Sequence, residues 1–328
     1  MRDVLITSLD RSVSCLGFGC SSIMGRVGRQ ASLDALAAAF DAGVNYFDVA
    51  RSYGYGRAEQ VVGEFLQGRR DRCVVATKVG IAPSLPGFAT RWLLPTARAL
   101  MGRLPALPRL LMRRRQQLSG VSKGHFDPQQ VITSLDTSLR ELGTDYVDIL
   151  LLHEVSRSDL ADDALIRCLE DIVGSGKARS LGIATGVSES LEILEGEFGF
   201  QVVQVPSHID EPHPRDLGGD GLPLLVTHSA LRLEDAVRAR LIEWLESRPE
   251  ELRALRDSGL AEAPLVETLP EILLAWTLAA NPRGVTLCGM LQGRHVQGNL
   301  ATADRVDACA EVLRTLGASW QAAASRLA

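Results

Sequence analysis

Residues 128–153 read PQQVITSLDTSLRELGTDYVDILLLH. The apolar periodicity predicts a helix over Pro128 to Leu142, a stop at Gly143, and an apolar strand-like run from Tyr146 to Leu152 that ends on His153. A fully apolar strand beside an amphipathic helix is the repeating unit of a parallel sheet covered by helices. Working outward, the unit recurs. Strands are expected at Tyr46 to Val49, Cys73 to Thr77, Ser180 to Ala184, Gln201 to Val205, Leu224 to Thr227 and Val285 to Cys288. Helices are expected over Ser32 to Ala42, Ala58 to Leu66, Ala164 to Val173, Leu233 to Leu245 and Pro270 to Leu278, with Gly43, Gly68 and Gly174 where helices should stop. With Val13 to Phe18 as the first strand, eight alternating units make this an α/β chain and favour a closed (β/α)8 TIM barrel over an open doubly wound sheet. A hairpin of Val4 to Thr7 with Arg11 to Ser14 should precede the barrel.

The composition is that of an ordinary soluble, globular chain with a mild acidic excess: 328 residues, 46% hydrophobic, 23% charged, net charge −5. We read residues 1–328 as a single barrel domain interrupted by a long loop insertion at about 81–125, after the third barrel strand. The acidic balance argues against nucleic acid as a partner. The N-terminal residues lack the long apolar core of a secretory signal, and no apolar run reaches the length of a spanning helix. Six cysteines are scattered without a Cys-x-x-Cys pair, which reads as buried free thiols in a cytoplasmic protein.

The exception to the acidic balance is Cys73 to Phe126, which contains nine Lys or Arg and no acid. Prolines limit it to short helical pieces, Thr96 to Leu104 and Arg109 to Gln117. It is expected to form a lid, with Trp92, Leu93 and Leu94 walling a substrate pocket. A second reading is a basic amphipathic surface over 91–117 that meets a membrane or a carrier protein, and a third is a disordered loop.

Reactive groups of a barrel collect at the C-terminal ends of its strands. There the sequence places Asp48, Lys78 and His153, and five residues beyond Asp48 comes Tyr53. A tyrosine beside an ammonium can exchange a proton with a carbonyl oxygen, and the ammonium is expected to lower the phenol's ordinary pKa of about 10. Asp48 would keep Lys78 charged and oriented, and His153 would align a substrate carbonyl. Such a site has no electron source of its own, which implies a hydride donor of the nicotinamide type.

Phe47 to Glu59 (FDVARSYGYGRAE), Ala76 to Lys78 (ATK), and Leu139 to Asp148 (LRELGTDYVD) with Leu151 to His153 (LLH) together resemble the aldo-keto reductase family. The resemblance runs from about Val4 to Leu300. It implies a (β/α)8 barrel that binds NADP(H), less often NAD(H), without a Rossmann motif, and that interconverts carbonyls and alcohols. It further implies Tyr53 as general acid/base, Lys78 and Asp48 as its tuning partners, and His153 as the carbonyl-orienting residue. The cofactor positions implied are Gly19, Cys20, Asp48, Gln204, His228, Ser229, Leu231, Arg294 and Asn299, with no metal.

Five positions depart from the family pattern. Ala184-Thr185 stand where Ser-Asn is usual, His228 replaces a stacking tyrosine, and Gly289 and His295 take basic positions, leaving Arg294 as the cation near a 2′-phosphate. NADP(H) is therefore favoured by family habit and NAD(H) is open. The Gly-rich turn from Gly182 to Gly186 is similar to that of the aldose/galactose dehydrogenase-like subgroup, whose members oxidise sugar lactols. The substrate is accordingly expected to be a small aldehyde, ketone or sugar, chosen by loops at Ile81 to Gly124 and Ser207 to Gly221. The alternative is a barrel-fold binding or regulatory protein that has lost cofactor turnover. Gly17-Phe18-Gly19 and Gly174 to Lys177 fail as Rossmann and P-loop motifs. His208, Asp210, Glu211 and His213 read as a polar loop rather than metal ligands.

Overall fold

The computed structural model describes residues 1–82, 124–196, 198–213, 217 and 221–324. Chain order begins with a hairpin, β1 (Asp3–Ile6) and β2 (Arg11–Ser14), joined by antiparallel pairing. Eight parallel strands then close a barrel: β3 (Leu16–Gly19), β4 (Tyr46–Asp48), β5 (Val74–Val79), β6 (Val147–His153), β7 (Ala178–Ala184), β8 (Val202–Pro206), β9 (Leu224–His228) and β10 (Val285–Cys288). The last strand returns to pair with β3, so the sheet has no free edge. The closed (β/α)8 architecture and its N-terminal hairpin follow the reading of the sequence.

The segment that opened the reading shows why. Asp127 caps helix α3 (Pro128–Leu142) by accepting hydrogen bonds from the backbone N–H groups of Gln129 and Gln130, and Pro128 fits the first helical position. Gly143 closes the helix in the left-handed region at φ 63°, where a Cβ would be strained. Val131, Leu135, Leu139 and Leu142 bury one face of α3, and every residue from Val147 to Leu152 is buried because β6 is covered on both sides.

The other helices among the described residues are α1 (Arg29–Asp41), α2 (Ala58–Leu66), α4 (Asp163–Gly174), α5 (Val187–Leu194), α6 (Asp235–Glu246), α7 (Pro249–Asp257), α8 (Leu265–Ala280) and α9 (Gly293–Ala324). Among the described residues no α-helix joins β8 to β9. The lid pieces at Trp92 to Leu94, Thr96 to Leu104 and Arg109 to Gln117, and with them the membrane or carrier-protein contact at 91–117, lie outside the described residues.

Helix α4 ends at Gly174, where the sequence places its stop, and Gly176 takes the left-handed turn two residues on. Two expectations are corrected. Val13 to Phe18 is not one strand: the backbone of Cys15 donates to Arg2 O and accepts from Thr286 N, so the chain leaves the hairpin there and enters the barrel at Leu16. Pro270 lies inside α8 rather than at its start. The carbonyl that its missing N–H leaves unpaired belongs to Val266, an exposed residue, where water can satisfy it.

The hairpin sits at the end of the barrel opposite the site. Ser8 Oγ lies 3.0 Å from Ser180 Oγ, and Arg11 joins Arg70 and Arg179 around the buried Asp148 carboxylate. No described helix is long and apolar enough to cross a membrane. All six cysteines are buried and free.

Candidate active site

Strand register brings the polar strand ends to one mouth. Gly19 pairs with Asp48, Asp48 with Ala76, and Lys78, two residues further along β5, with Leu151. His153 pairs with Ala184, Ala184 with Gln204, and Pro206 with His228. Lys78 thus stands one layer above Asp48 and reaches back to it: Nζ donates to Asp48 Oδ2 at 2.5 Å and to Val49 O at 3.3 Å. Both side chains are buried. Gln204 Nε2 donates to the same Asp48 oxygen at 3.2 Å. Burial presses the Lys78 pKa down, but Asp48 and then Tyr53 outweigh it, so the ammonium is held above the ordinary lysine value.

Tyr53 is carried by the turn after β4, where its N–H donates to Ala50 O at 3.0 Å. Gly54 beside it adopts φ 56°, and a Cβ there would meet Met24 Cβ at 2.8 Å, so the turn can seat against Met24 only with glycine. The Tyr53 ring faces Lys78, whose Nζ is 5.2 Å from the ring centroid, and the ammonium acts on the phenol electrostatically. The His153 ring approaches Tyr53 edge-on, centroids 6.3 Å apart at 88°. Past Lys78, Gly80 at φ 110° lets the chain pass the His153 carbonyl, which a Cβ would approach to 2.9 Å.

The structure therefore brings Tyr53, Lys78, Asp48 and His153 together. It corrects the expected tuning of the phenol: burial is the largest influence and raises the Tyr53 pKa, Lys78 opposes, and the net direction is upward. The phenol consequently carries its proton throughout the neutral range.

The cofactor positions named from sequence divide into two groups. Gly19, Cys20, Asp48, Gln204, His228, Ser229 and Leu231 lie toward or just beyond strand ends on the same side of the barrel as Tyr53. Cys20 is buried near Asp48, and burial followed by Asp48 keeps its thiol protonated. Gln204 Oε1 is buried and accepts no hydrogen bond, an open acceptor suited to an amide N–H such as a carboxamide carries. His228 Nδ1 lies 2.8 Å from Ser229 Oγ, and burial, reinforced by Lys78 and Arg232, pushes its pKa down to about 4. It presents a flat, uncharged ring at neutral pH. Arg294 and Asn299 form the second group, on the first turns of α9. Arg294 is exposed, and Asn299 Nδ2 donates to Cys288 Sγ at 3.2 Å. Cationic and amide donors at a helix N-terminus suit a phosphate-bearing nucleotide. In the loop after β8, His208 Nε2 lies 3.4 Å from Glu211, His213 Nδ1 2.9 Å from Ser207 Oγ, and Asp210 accepts from Trp320 Nε1 at 3.3 Å.

One group at the site escaped the sequence reading. Glu59, in the first turn of α2, is buried, and Thr77 Oγ1 donates to its Oε1 at 2.5 Å. Burial raises its pKa to about 7 against Thr77, Ser138 and Arg51. The signal was available in the helical period: Glu59 falls on the same face as Val62 and Leu66, where an apolar residue is expected. A carboxyl whose folded pKa exceeds its unfolded value of 4.5 binds more protons in the folded state between pH 4.5 and 7. Stability therefore falls as pH rises through that window, by an upper bound of ~3 kcal/mol. Replacing Glu59 with Gln removes the titration. Urea unfolding at pH 5 and pH 8 should show the variant gaining on the parent at the higher pH; equal differences at both would contradict it.

Comparison with known proteins places this geometry. A model of the aldo/keto reductase family matches residues 15–216. D-threo-aldose 1-dehydrogenase of a Pseudomonas species is 31% identical over 206 residues, 59% of this chain and 56% of that protein. Pyridoxal 4-dehydrogenase of Microbacterium luteolum is 30% identical over 199 residues, 54% of this chain and 53% of that protein. The chain spans about half the length of the curated relatives it matches. A solved aldo-keto reductase from Bacillus halodurans in its holo form superposes with TM-score 0.64 at 24% identity, covering 96% of each chain. One from Klebsiella pneumoniae in complex with NADPH gives 0.62 at 23%, covering 93% of this chain and 90% of that one. The matched residues include the strands and turn that carry Asp48, Tyr53, Lys78 and His153, and on that ground the chain belongs to the aldo/keto reductase family.

Proposed function

We propose that this protein is a nicotinamide-dependent oxidoreductase that interconverts a small carbonyl compound and its alcohol. The observation that carries the reading is the Lys78 ammonium, bonded to the Asp48 carboxylate and set against the Tyr53 phenol ring, 5.2 Å from its centroid, at the barrel mouth. Tyr53 is the general acid/base. In reduction its O–H gives a proton to the carbonyl oxygen, and Lys78 stabilises the phenolate left behind; in oxidation the same oxygen takes the proton back. Asp48, held by Lys78 and Gln204, keeps the ammonium charged and aimed. His153, across from Tyr53, donates to the carbonyl oxygen and fixes its approach.

A bound NADP(H) or NAD(H) supplies the hydride. Gln204 would take its carboxamide, His228 with Ser229 and Leu231 would flank the ring, Gly19 and Cys20 would line the floor, and Arg294 and Asn299 would meet the phosphate and adenine end. Arg294 supports NADP(H); the lack of further cations at Gly289 and His295 keeps NAD(H) in play. The aldose dehydrogenase relative supports a sugar lactol as substrate within the aldehyde and ketone class. A cytoplasmic site of action is supported by the six unpaired buried thiols.

Titration with NADPH and NADH, followed by quenching of tryptophan fluorescence, tests the reading. Saturable quenching with at least one nucleotide is expected, together with nucleotide-dependent turnover of an aldehyde or aldose panel. No quenching with either at millimolar concentration would leave a barrel that binds or regulates without catalysing.

A further inference from the structure

We propose that Glu59 is a positioning residue, which by accepting the Thr77 hydroxyl locks the end of β5, and hence Lys78, to the turn and helix that carry Tyr53. The proposal rests on the oxidoreductase reading given above. Successive side chains of a strand point to opposite faces, so Lys78 faces the barrel mouth while Thr77 faces the helix layer. Thr77 meets Glu59 there at 2.5 Å, and both are almost fully buried, at 0% and 1% exposure.

Glu59 belongs to the segment that begins with Tyr53: the turn Tyr53–Tyr55 runs through Gly56 and Arg57 into α2 at Ala58. One hydrogen bond therefore joins the two short segments whose spacing sets the phenol against the ammonium. Packing alone does not explain an acid here. Val61, Val62, Phe65 and Leu66 fill the buried face of α2 with apolar groups, and burying a carboxyl among them is costly. Its second oxygen, Oε2, is buried without a hydrogen bond, as is Ser138 Oγ beside it on α3. The charged groups that face it are Arg51, from the loop before Tyr53, and Glu141, from α3. A group retained at that cost, and bonded to the residue adjoining Lys78, holds geometry that the reaction uses.

Thr77→Val and Glu59→Leu each remove the bond while keeping the volume similar, and Thr77→Ser keeps the hydroxyl. Each of the first two should lower kcat about tenfold, with KM and nucleotide Kd within about twofold of the parent, because a small displacement of a reacting group acts on the chemical step. The double variant should fall no further than either single one, and Thr77→Ser should recover most of the loss. The activity-free readout is the Cζ resonance of Tyr53 in protein carrying labelled tyrosine, identified among the four tyrosines by its loss in Tyr53→Phe. Thr77→Val and Glu59→Leu should move that resonance the same way, and Thr77→Ser should leave it in place. Unchanged kcat and an unmoved resonance in Thr77→Val would overturn the proposal, as would additive losses in the double variant. If Glu59→Leu fails to fold, the Thr77 pair decides alone. Absence of turnover in the parent would instead sink the functional reading, and the resonance would still report whether the lock exists.

Discussion

Tyr53→Phe should lower kcat by roughly 10²–10⁴-fold, the range for losing a positioned proton donor, while leaving nucleotide affinity within about twofold. The two effects separate because the substitution removes one oxygen and nothing else. The ring that meets His153 edge-on is kept, as is the apolar surface that Tyr53 packs against the core. The loss falls on the proton: the hydroxyl removed is that of the ring set against Lys78, and Lys78 cannot itself serve as the acid while bonded to Asp48. Single-turnover kinetics with a saturating aldehyde, beside fluorescence titration, make the measurement. Retained turnover would remove Tyr53 from the reaction.

Lys78→Met is expected to abolish turnover and also to destabilise the fold by ~3–5 kcal/mol, the usual cost of stripping one partner from a buried ion pair. After the change Asp48 keeps the Gln204 amide as its side-chain donor among the described residues, in a site that already pushes its carboxyl pKa upward by burial. The double variant Lys78→Met with Asp48→Asn should recover most of the stability and none of the activity, since the stranded carboxylate is gone and the proton relay with it. Urea unfolding of the parent and variants supplies the stabilities. A loss below about 1 kcal/mol in Lys78→Met would mean that the pair is not ionised in the parent.

Much of the architecture was legible because it rests on local regularities. Helix α3 was bounded correctly at both ends, since Asp127, Pro128 and Gly143 act on their own backbone within a turn or two. The apolar strands were recognisable because parallel strands are buried on both faces. The failures share the opposite property. Helix α8 begins at Leu265 and tolerates Pro270 because an exposed carbonyl can turn to water. The long helix α9 has little apolar periodicity of its own and is held by packing on α8, as where Gly317 sits tight against Trp276. The break at Cys15 depends on partners at Arg2 and Thr286, from opposite ends of the chain.

The same division runs through the site. That Asp48, Lys78 and His153 occupy strand ends, with Tyr53 one short turn beyond Asp48, is a matter of spacing along the chain, and sequence alone determined it along with the (β/α)8 class. Tertiary structure decided the electrostatics and the support. Burial overrides the ammonium and raises the phenol's pKa, because desolvation depends on everything that closes around the mouth. Glu59 becomes part of the site only when α2 lies against β5 and brings its carboxyl to Thr77. Periodicity reports which face a residue occupies; only the fold reports what waits on the other side.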